Sequence, residues 1–535
     1  MSDTSLRTRT RPARLPAERT ASRLAAIAIV AAAVLIAIAA SVGRSFELDE
    51  GYTYLILNDA PRITWPVGVF QRGEIAHWFA GSAPLARIAA DLVTYDVHPP
   101  LWFYLEAGWR HLVGPGLLAA RLLSVAIMAV GLVLTGRVAR LCRAPVPLTL
   151  AITAFSYAIL YTGATVRMYP FANALLLAGT LALLHALAPR RQGREGWRSV
   201  LWAAAAGLAF GLGTASHLFV VFPAFALGLV AAAAFATRRR FAEVLAAAAT
   251  ALPAILWAAS YYAVQQTHDW QFAPFRVGGM LMRIAERYAA ALFGGTPVYL
   301  PHPLTVPVSA LLGLLLVTAL AVAGFAVRRM MRDVQGRMVL AGTAVMPVML
   351  FVVGAADGKE TVELRYLIYG VPFLAMFLAR GWREQKVVPR RAWPVLAAVF
   401  VAAQMAGAAA MPFAHMTQQA ARPAMAQIGR LWQPGALLLL PQATDTSGMT
   451  LDYAYEAPAD WPMLLMTEDE SPARVLQAVA GRPRIFLILL ADADGTAALA
   501  RTRAILRAAG WQSAGSPGAD VTRLGVAWEE MVPPR

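Results

Sequence analysis

Ser45-Phe46-Glu47-Leu48-Asp49-Glu50-Gly51-Tyr52 follows directly on an apolar run from Leu24 to Val42, and these two stretches read together decide the fold. The run is 19 residues long, enough at about 1.5 Å per residue to cross most of a ~30 Å hydrocarbon core. Three carboxylates stand in the step beyond it. Charge at the edge of hydrocarbon must be hydrated, paired or put to use. On one reading the acids only mark where a helix leaves the bilayer. On the other they belong to a site, because later segments return reactive side chains to the same side of the membrane.

Composition extends the membrane reading to the whole chain. Of 535 residues, 58% are hydrophobic and 15% charged, with a mean hydropathy of +0.54. A soluble protein of this size has no way to cover so much apolar surface. The net charge is +16, yet the basic residues form short clusters between apolar runs, as cytoplasmic loops do, and not a nucleic-acid patch. The single cysteine, Cys142, excludes an intrachain disulfide and a cysteine zinc site. The arginine-rich N-terminus precedes an apolar run too long for a signal peptide, so 24–42 is expected to be a retained helix.

Alternating apolar runs with arginine clusters predicts about eleven spans, near 24–42, 117–136, 146–162, 171–188, 199–216, 219–236, 242–262, 304–327, 338–354, 367–379 and 393–411. Leu101–Val113 is short, and counting it as a span would invert every later loop. It is therefore expected to lie at the outer interface, where Trp102, Tyr104 and Trp109 fit. This arrangement puts 25 of the 47 basic residues in six inner segments. Residues 1–23 then form a cytoplasmic tail, and 43–116, 263–303 and 355–366 form outer loops. In 412–535 the apolar runs shorten (Ala436–Leu440, Pro462–Met466, Ile485–Leu490, Leu524–Trp528) and alternate with helical patterns at Pro472–Ala480 and Thr496–Ala509. That alternation predicts a small α/β domain on the outer face. The expected fold class is thus a polytopic α-helical membrane protein with a C-terminal extracytoplasmic α/β domain.

The outer side collects Asp49, Glu50, Asp96, His98, Arg167, Tyr169, His217, Lys359, Glu363, Arg365 and Tyr366. A carboxylate can accept a proton from an attacking hydroxyl. Arginines can clamp a phosphate through paired, charge-assisted hydrogen bonds, and interfacial tyrosines can orient headgroups. A base and a cationic clamp at the edge of a bilayer suit moving a group off a lipid-linked phosphate. Each residue also has a structural alternative: Asp49 and Glu50 as helix caps, His98-Pro99-Pro100 as a rigid helix entry, Asp96 as a loop ion pair, Arg167 as a snorkelling side chain, Lys359 as a solvated loop charge. His98, His217, Asp49 and Glu50 would hold a divalent metal ion only if they converged, and no ligand spacing supports that.

Five motifs carry a family resemblance: Leu48-Asp49-Glu50-Gly51-Tyr52, His98-Pro99-Pro100-Leu101, Ala120-Arg121-Leu122-Leu123-Ser124, Arg167-Met168-Tyr169-Pro170 and Arg365-Tyr366-Leu367. In this order and on one side, they resemble the GT-C glycosyltransferases, in the branch of protein O-mannosyltransferases, aminoarabinose–lipid A transferases and rhizobial galacturonosyltransferases. The resemblance covers about 24–411. It implies an inverting transfer from a polyprenyl-phosphate sugar donor to a hydroxyl on a glycan, lipid or protein acceptor. It further implies Asp49, with Glu50 beside it, as the catalytic base or acceptor orienter, and Arg167 and Arg365 as holders of the donor phosphate. Lys359, Tyr169, Tyr366, His98, Asp96 and His217 would line the substrate. The alanine- and arginine-rich composition points to a bacterial inner membrane, with the N-terminus cytoplasmic and the C-terminal domain periplasmic. A lipid-linked sugar flippase and a non-catalytic envelope scaffold are the competing classes.

Overall fold

The computed structural model describes residues 16–60, 64–96, 98–188, 196–264, 273–296, 302–389, 391–413, 421–442, 448–467, 469, 471–489, 493–515 and 527–534. Residues 1–15 of the basic tail 1–23, the arginines 190, 191 and 194, and part of the 263–303 loop therefore lie outside the described residues. Among those described, eight helices are long and apolar enough to cross a membrane: Thr20–Gly43, Leu117–Leu141, Tyr169–Ala186, Leu218–Ala236, Phe241–Val264, Pro303–Gly324, Val334–Asp357 and Ala392–Ala410.

Three differences reduce the expected eleven. The span expected at 146–162 is broken into Val146–Ala154 and Tyr157–Gly163, bent by 63°; at the break the Ser156 hydroxyl donates to the Thr153 carbonyl at 2.8 Å. Counted as one crossing, this pair makes nine. Helix Val371–Glu384 has only 14 residues, and its first twelve are all buried. At about 1.5 Å per residue it is too short to cross unaided. Gly196–Thr214 is helical too, but lies outside the eight. Its closeness to Phe241–Val264 comes from small residues. A Cβ on Gly207 would stand 2.0 Å from the Ala247 carbonyl oxygen, and one on Gly211 2.8 Å from that of Ala251. Thr250 also donates across the contact to the Ala204 carbonyl at 2.7 Å. Backbones that approach this closely are the Gly-x-x-x-Gly mode of packing in lipid.

Charge collects in two layers. In one, Arg380 donates to the Asp333 carboxylate at 2.6 Å and to the Cys142 carbonyl at 3.2 Å. Nearby chain ends are treated alike: Arg238 and Arg240 donate to the carbonyls of Leu187 and Ala186, so guanidinium groups cap the last turn of helix Tyr169–Ala186. Buried Cys142 sits in this layer, its thiol pKa pushed up to about 12 by burial. The other layer begins at Arg121, near the opposite end of Leu117–Leu141. That helix is 25 residues long, or about 37 Å, so the layers stand roughly a bilayer apart.

The C-terminal region builds a six-stranded sheet of order β1-β3-β2-β4-β6-β5, with β1 Val69–Phe70, β2 Leu437–Pro441, β3 Met463–Met466, β4 Ile485–Leu489, β5 Gln512–Gly515 and β6 Ala527–Val532. β2 pairs in parallel with β3 and β4, and helices Gly448–Glu456 and Pro472–Val479 make the crossovers. The alternation of short apolar strands with helices therefore reads correctly as α/β. β1 is different. It comes from the first long loop and pairs antiparallel with β3, Val69 opposite Leu464 and Phe70 opposite Met463. The sheet is thus not made by residues 412–535 alone.

Candidate active site

Helix Leu48–Leu57 opens five residues after the first span ends, and its first turn holds Asp49 and Glu50. Neither faces water: Asp49 is 5% exposed and Glu50 0%. Acids in a first turn face the positive end of the helix, but the two adjacent carboxylates have different partners.

Glu50 is enclosed. Arg121 reaches it with two parallel bonds, Nε to Oε1 at 2.7 Å and Nη2 to Oε2 at 2.6 Å. The backbone N–H groups of Val166 and Glu47 donate to the same carboxylate, each at 3.1 Å. Arg121 spends its remaining donors on the carbonyls of Ser41, Arg44 and Ser45. This fork–fork pair fixes the chain on both sides of the acid step. Beside it, Glu47 pairs with Arg44 and accepts from the Tyr161 hydroxyl at 2.9 Å.

Asp49 forms an ion pair with Arg365, 316 positions away in sequence. Burial by itself would raise its pKa, but the Arg365 and Arg167 guanidinium groups outweigh burial and hold the carboxyl below the usual carboxylate range. Arg167, 4% exposed, donates to the Thr53 hydroxyl at 3.3 Å and stands 3.5 Å from the Asp96 carboxylate. On the other side of Asp96, His98 Nε2 lies 3.8 Å away. The His98 and His217 rings have centroids 5.2 Å apart, and His217 contacts the rings of Tyr169, Tyr366 and Tyr369 at 5.1, 5.7 and 5.4 Å. Burial first, then the two arginines, pushes the His217 pKa down to about 3; burial, Arg167 and His217 push His98 well below its ordinary value. Both imidazoles are neutral at pH 7.

Asp49, Asp96, His98, Arg167, Tyr169, His217, Arg365 and Tyr366 therefore come together from five separate stretches. Two candidates sit differently. Glu50 is committed to Arg121. Lys359 lies in the loop after helix Val334–Asp357, where its backbone bridges to Pro274 behind the left-handed Gly358. Among the described residues no group of three His, Cys, Asp or Glu side chains is placed to hold a metal ion. The carboxylates that would join the histidines as ligands, Asp49 and Glu50, already face guanidinium groups.

Sequence reasoning quoted Arg121 within a motif without giving it a role. The available signal was an arginine five residues into a long apolar helix, a position that calls for a buried partner. Thr53 and Tyr161 carried no comparable signal.

No protein-family model matches the sequence, and no curated protein matches it. Solved structures do match in fold. The crystal structure of ArnT from Cupriavidus metallidurans bound to undecaprenyl phosphate aligns over 94% of this chain and 97% of that one, with 12% identity and a TM-score of 0.52. Its apo state aligns over the same shares with 11% identity and a TM-score of 0.53. A looser likeness, at a TM-score of 0.44 and 11% identity, is to the Archaeoglobus fulgidus oligosaccharyltransferase tethered with an acceptor peptide, over 94% of this chain and 74% of that one. This chain has the GT-C fold, a polytopic helical membrane region joined to a small C-terminal sheet.

Proposed function

We propose that this protein is a glycosyltransferase that moves a sugar from a polyprenyl-phosphate donor to an acceptor hydroxyl, inverting the anomeric carbon. The observation that carries the reading is the buried contact of Asp49 with Arg365, with Arg167 beside it. An anionic group and two cationic ones meet in a water-poor layer at the ends of the helices. The ArnT structure bound to undecaprenyl phosphate supports the same lipid class as donor. The site lies on the periplasmic side of a bacterial inner membrane, with the N-terminus cytoplasmic, because the arginine-capped layer at Cys142 and Asp333 has the composition of an inner surface.

In the proposed step the acceptor oxygen forms a bond to the anomeric carbon as the carbon–oxygen bond to the phosphate breaks. The electron pair leaves with the phosphate, and Arg167 and Arg365 neutralise its growing charge. Asp49 receives the acceptor proton. In the resting site its pairing with Arg365 makes it a weak base. Donor phosphate competes for that guanidinium, so Asp49 gains basicity when the donor is in place. Glu50 supports the step by fixing its backbone through Arg121. Neutral His98 and His217, with Tyr169 and Tyr366, supply a polar and aromatic wall for the sugar.

The test is mass spectrometry of envelope glycolipids and glycoproteins from cells carrying wild-type protein or Asp49→Asn. Loss of one sugar in the variant, with normal protein levels, is the expected result. An unchanged glycan profile would remove Asp49 from the chemistry. Arg167→Ala should raise the donor KM by about tenfold or more, one charged hydrogen bond being worth ~1.5–3 kcal/mol; an unchanged KM takes that residue out of the clamp.

A further inference from the structure

The four-residue passage 44–47 from the first span into helix Leu48–Leu57 is held from two directions. Arg121 takes its carbonyls from the membrane side, as described above. The C-terminal region takes the rest. Arg422 donates from Nη1 to the Val42 carbonyl at 2.6 Å, and from its backbone N–H to the Ser45 hydroxyl at 3.1 Å. Its Nε and Nη2 donate to the two oxygens of Glu456 at 2.9 and 3.1 Å. Glu456 in turn accepts the Phe46 backbone N–H at 2.7 Å. Packing follows the same line: the Phe46 ring stacks on Tyr455 with centroids 4.2 Å apart, and a Cβ on Gly51 would lie 3.3 Å from Leu451. Helix Gly448–Glu456 thus rests along the acid step, and its Glu456 side chain is only 8% exposed.

We infer that Arg422 and Glu456 are positioning residues for Asp49, so that the C-terminal α/β region is part of the catalytic unit and not an appended module. Phe46 lies three residues before Asp49, and its N–H precedes the helix, where no intrahelical carbonyl can take it. Glu456 supplies that acceptor, and Arg422 fixes the Glu456 carboxylate by a two-pronged bond. Freed from Glu456, the Phe46 peptide loses its anchor, and the first turn can turn Asp49 away from Arg365. A misplacement of about 1 Å at a reacting group can cost on the order of 100-fold in rate.

The positional part of this inference stands apart from the transferase reading; only its kinetic consequence rests on it. The experiment uses full-length protein in lipid nanodiscs and follows amide hydrogen exchange of residues 44–57, with 117–141 as an internal control for the fold. Glu456→Ala should speed exchange at 44–57 by about tenfold or more and leave 117–141 unchanged. Glu456→Gln, which keeps a carbonyl acceptor for Phe46, should recover most of the protection. The charge-swapped double variant, Arg422→Glu with Glu456→Arg, restores the ion pair but offers Phe46 no acceptor, and should remain open. Wild-type exchange in Glu456→Ala, or recovered protection in the swap, overturns the inference. If Glu456→Ala does not fold, the contrast between Glu456→Gln and the swap decides the question. In a transfer assay, Glu456→Ala should lose about 10–100-fold in kcat with donor KM within about twofold, and Glu456→Gln should regain most of it. A loosened 44–57 with unchanged kcat would reduce Glu456 to a structural residue. If Asp49→Asn also leaves transfer intact, the transferase reading fails and the exchange result stands alone.

Discussion

At the residue scale, two adjacent carboxylates are distinguished by the cation each one meets. Glu50 is paired on both oxygens and wholly buried; Asp49 pairs with Arg365, a guanidinium that a phosphate can take over. Removing one member of a buried pair strands the other charge. Arg121→Ala should therefore destabilise the protein by about 3–5 kcal/mol, measured as a lowered unfolding midpoint in detergent, whereas Asp49→Asn, which strands the Arg365 charge but keeps an amide oxygen to accept from it, should lower the midpoint by less. The histidines make a pH prediction. With its folded pKa depressed to about 3, His217 binds protons less readily than in the unfolded chain. Its contribution to stability is present above about pH 6.5 and is lost as pH falls from there toward 3. Asp49, held below the usual carboxylate range by Arg365 and Arg167, is ionised around pH 6.5. The pH profile of kcat/KM should thus lack a limb near 6.5. A clear limb there, abolished in His217→Gln, would show that the ring titrates in the working enzyme.

At the element scale, helices meet where side chains are absent. Gly207 leaves room for the Ala247 carbonyl, and a methyl group there would overlap it at 2.0 Å. Gly207→Ala should push Gly196–Thr214 off Phe241–Val264 and cost about 1–3 kcal/mol, the usual penalty of overpacking. Gly228→Ala, in helix Val221–Ala236 with nothing within 4 Å of the added atom, should be neutral or slightly stabilising. Paired thermal unfolding of the two variants separates close packing from simple helix propensity. β1 makes a related point. Two residues, Val69 and Phe70, are too few to signal a strand by alternation, and only the partner strand at 463–464 makes them one.

At the scale of the whole molecule, the two charge layers define an inside and an outside. Single cysteines introduced in a Cys142→Ser background test the assignment. Gln477→Cys, on the C-terminal sheet region, should react with an impermeant maleimide in intact spheroplasts. Ala236→Cys, beside the arginine cluster 238–240, should react only after permeabilisation. The opposite pattern would invert the proposed topology.

The membrane character, the positions of the long helices and the α/β pattern of the C-terminal strands were all legible from the sequence, because hydropathy and periodicity are properties of short windows. The span count was less so. A 63° break at Phe155–Ser156 and a 14-residue buried helix both resemble crossings when only apolar residues are counted. The site was legible as a list of candidates, without the pairing among them. That Arg121 takes Glu50, that Arg365 takes Asp49 and that Glu456 holds the Phe46 peptide depend on contacts between residues 71, 316 and 410 positions apart. No local pattern encodes such distances. Sequence determined which groups must be kept out of lipid or paired within it; tertiary packing decided which charge each one meets, because a buried ion is stable only beside the particular partner that the fold delivers.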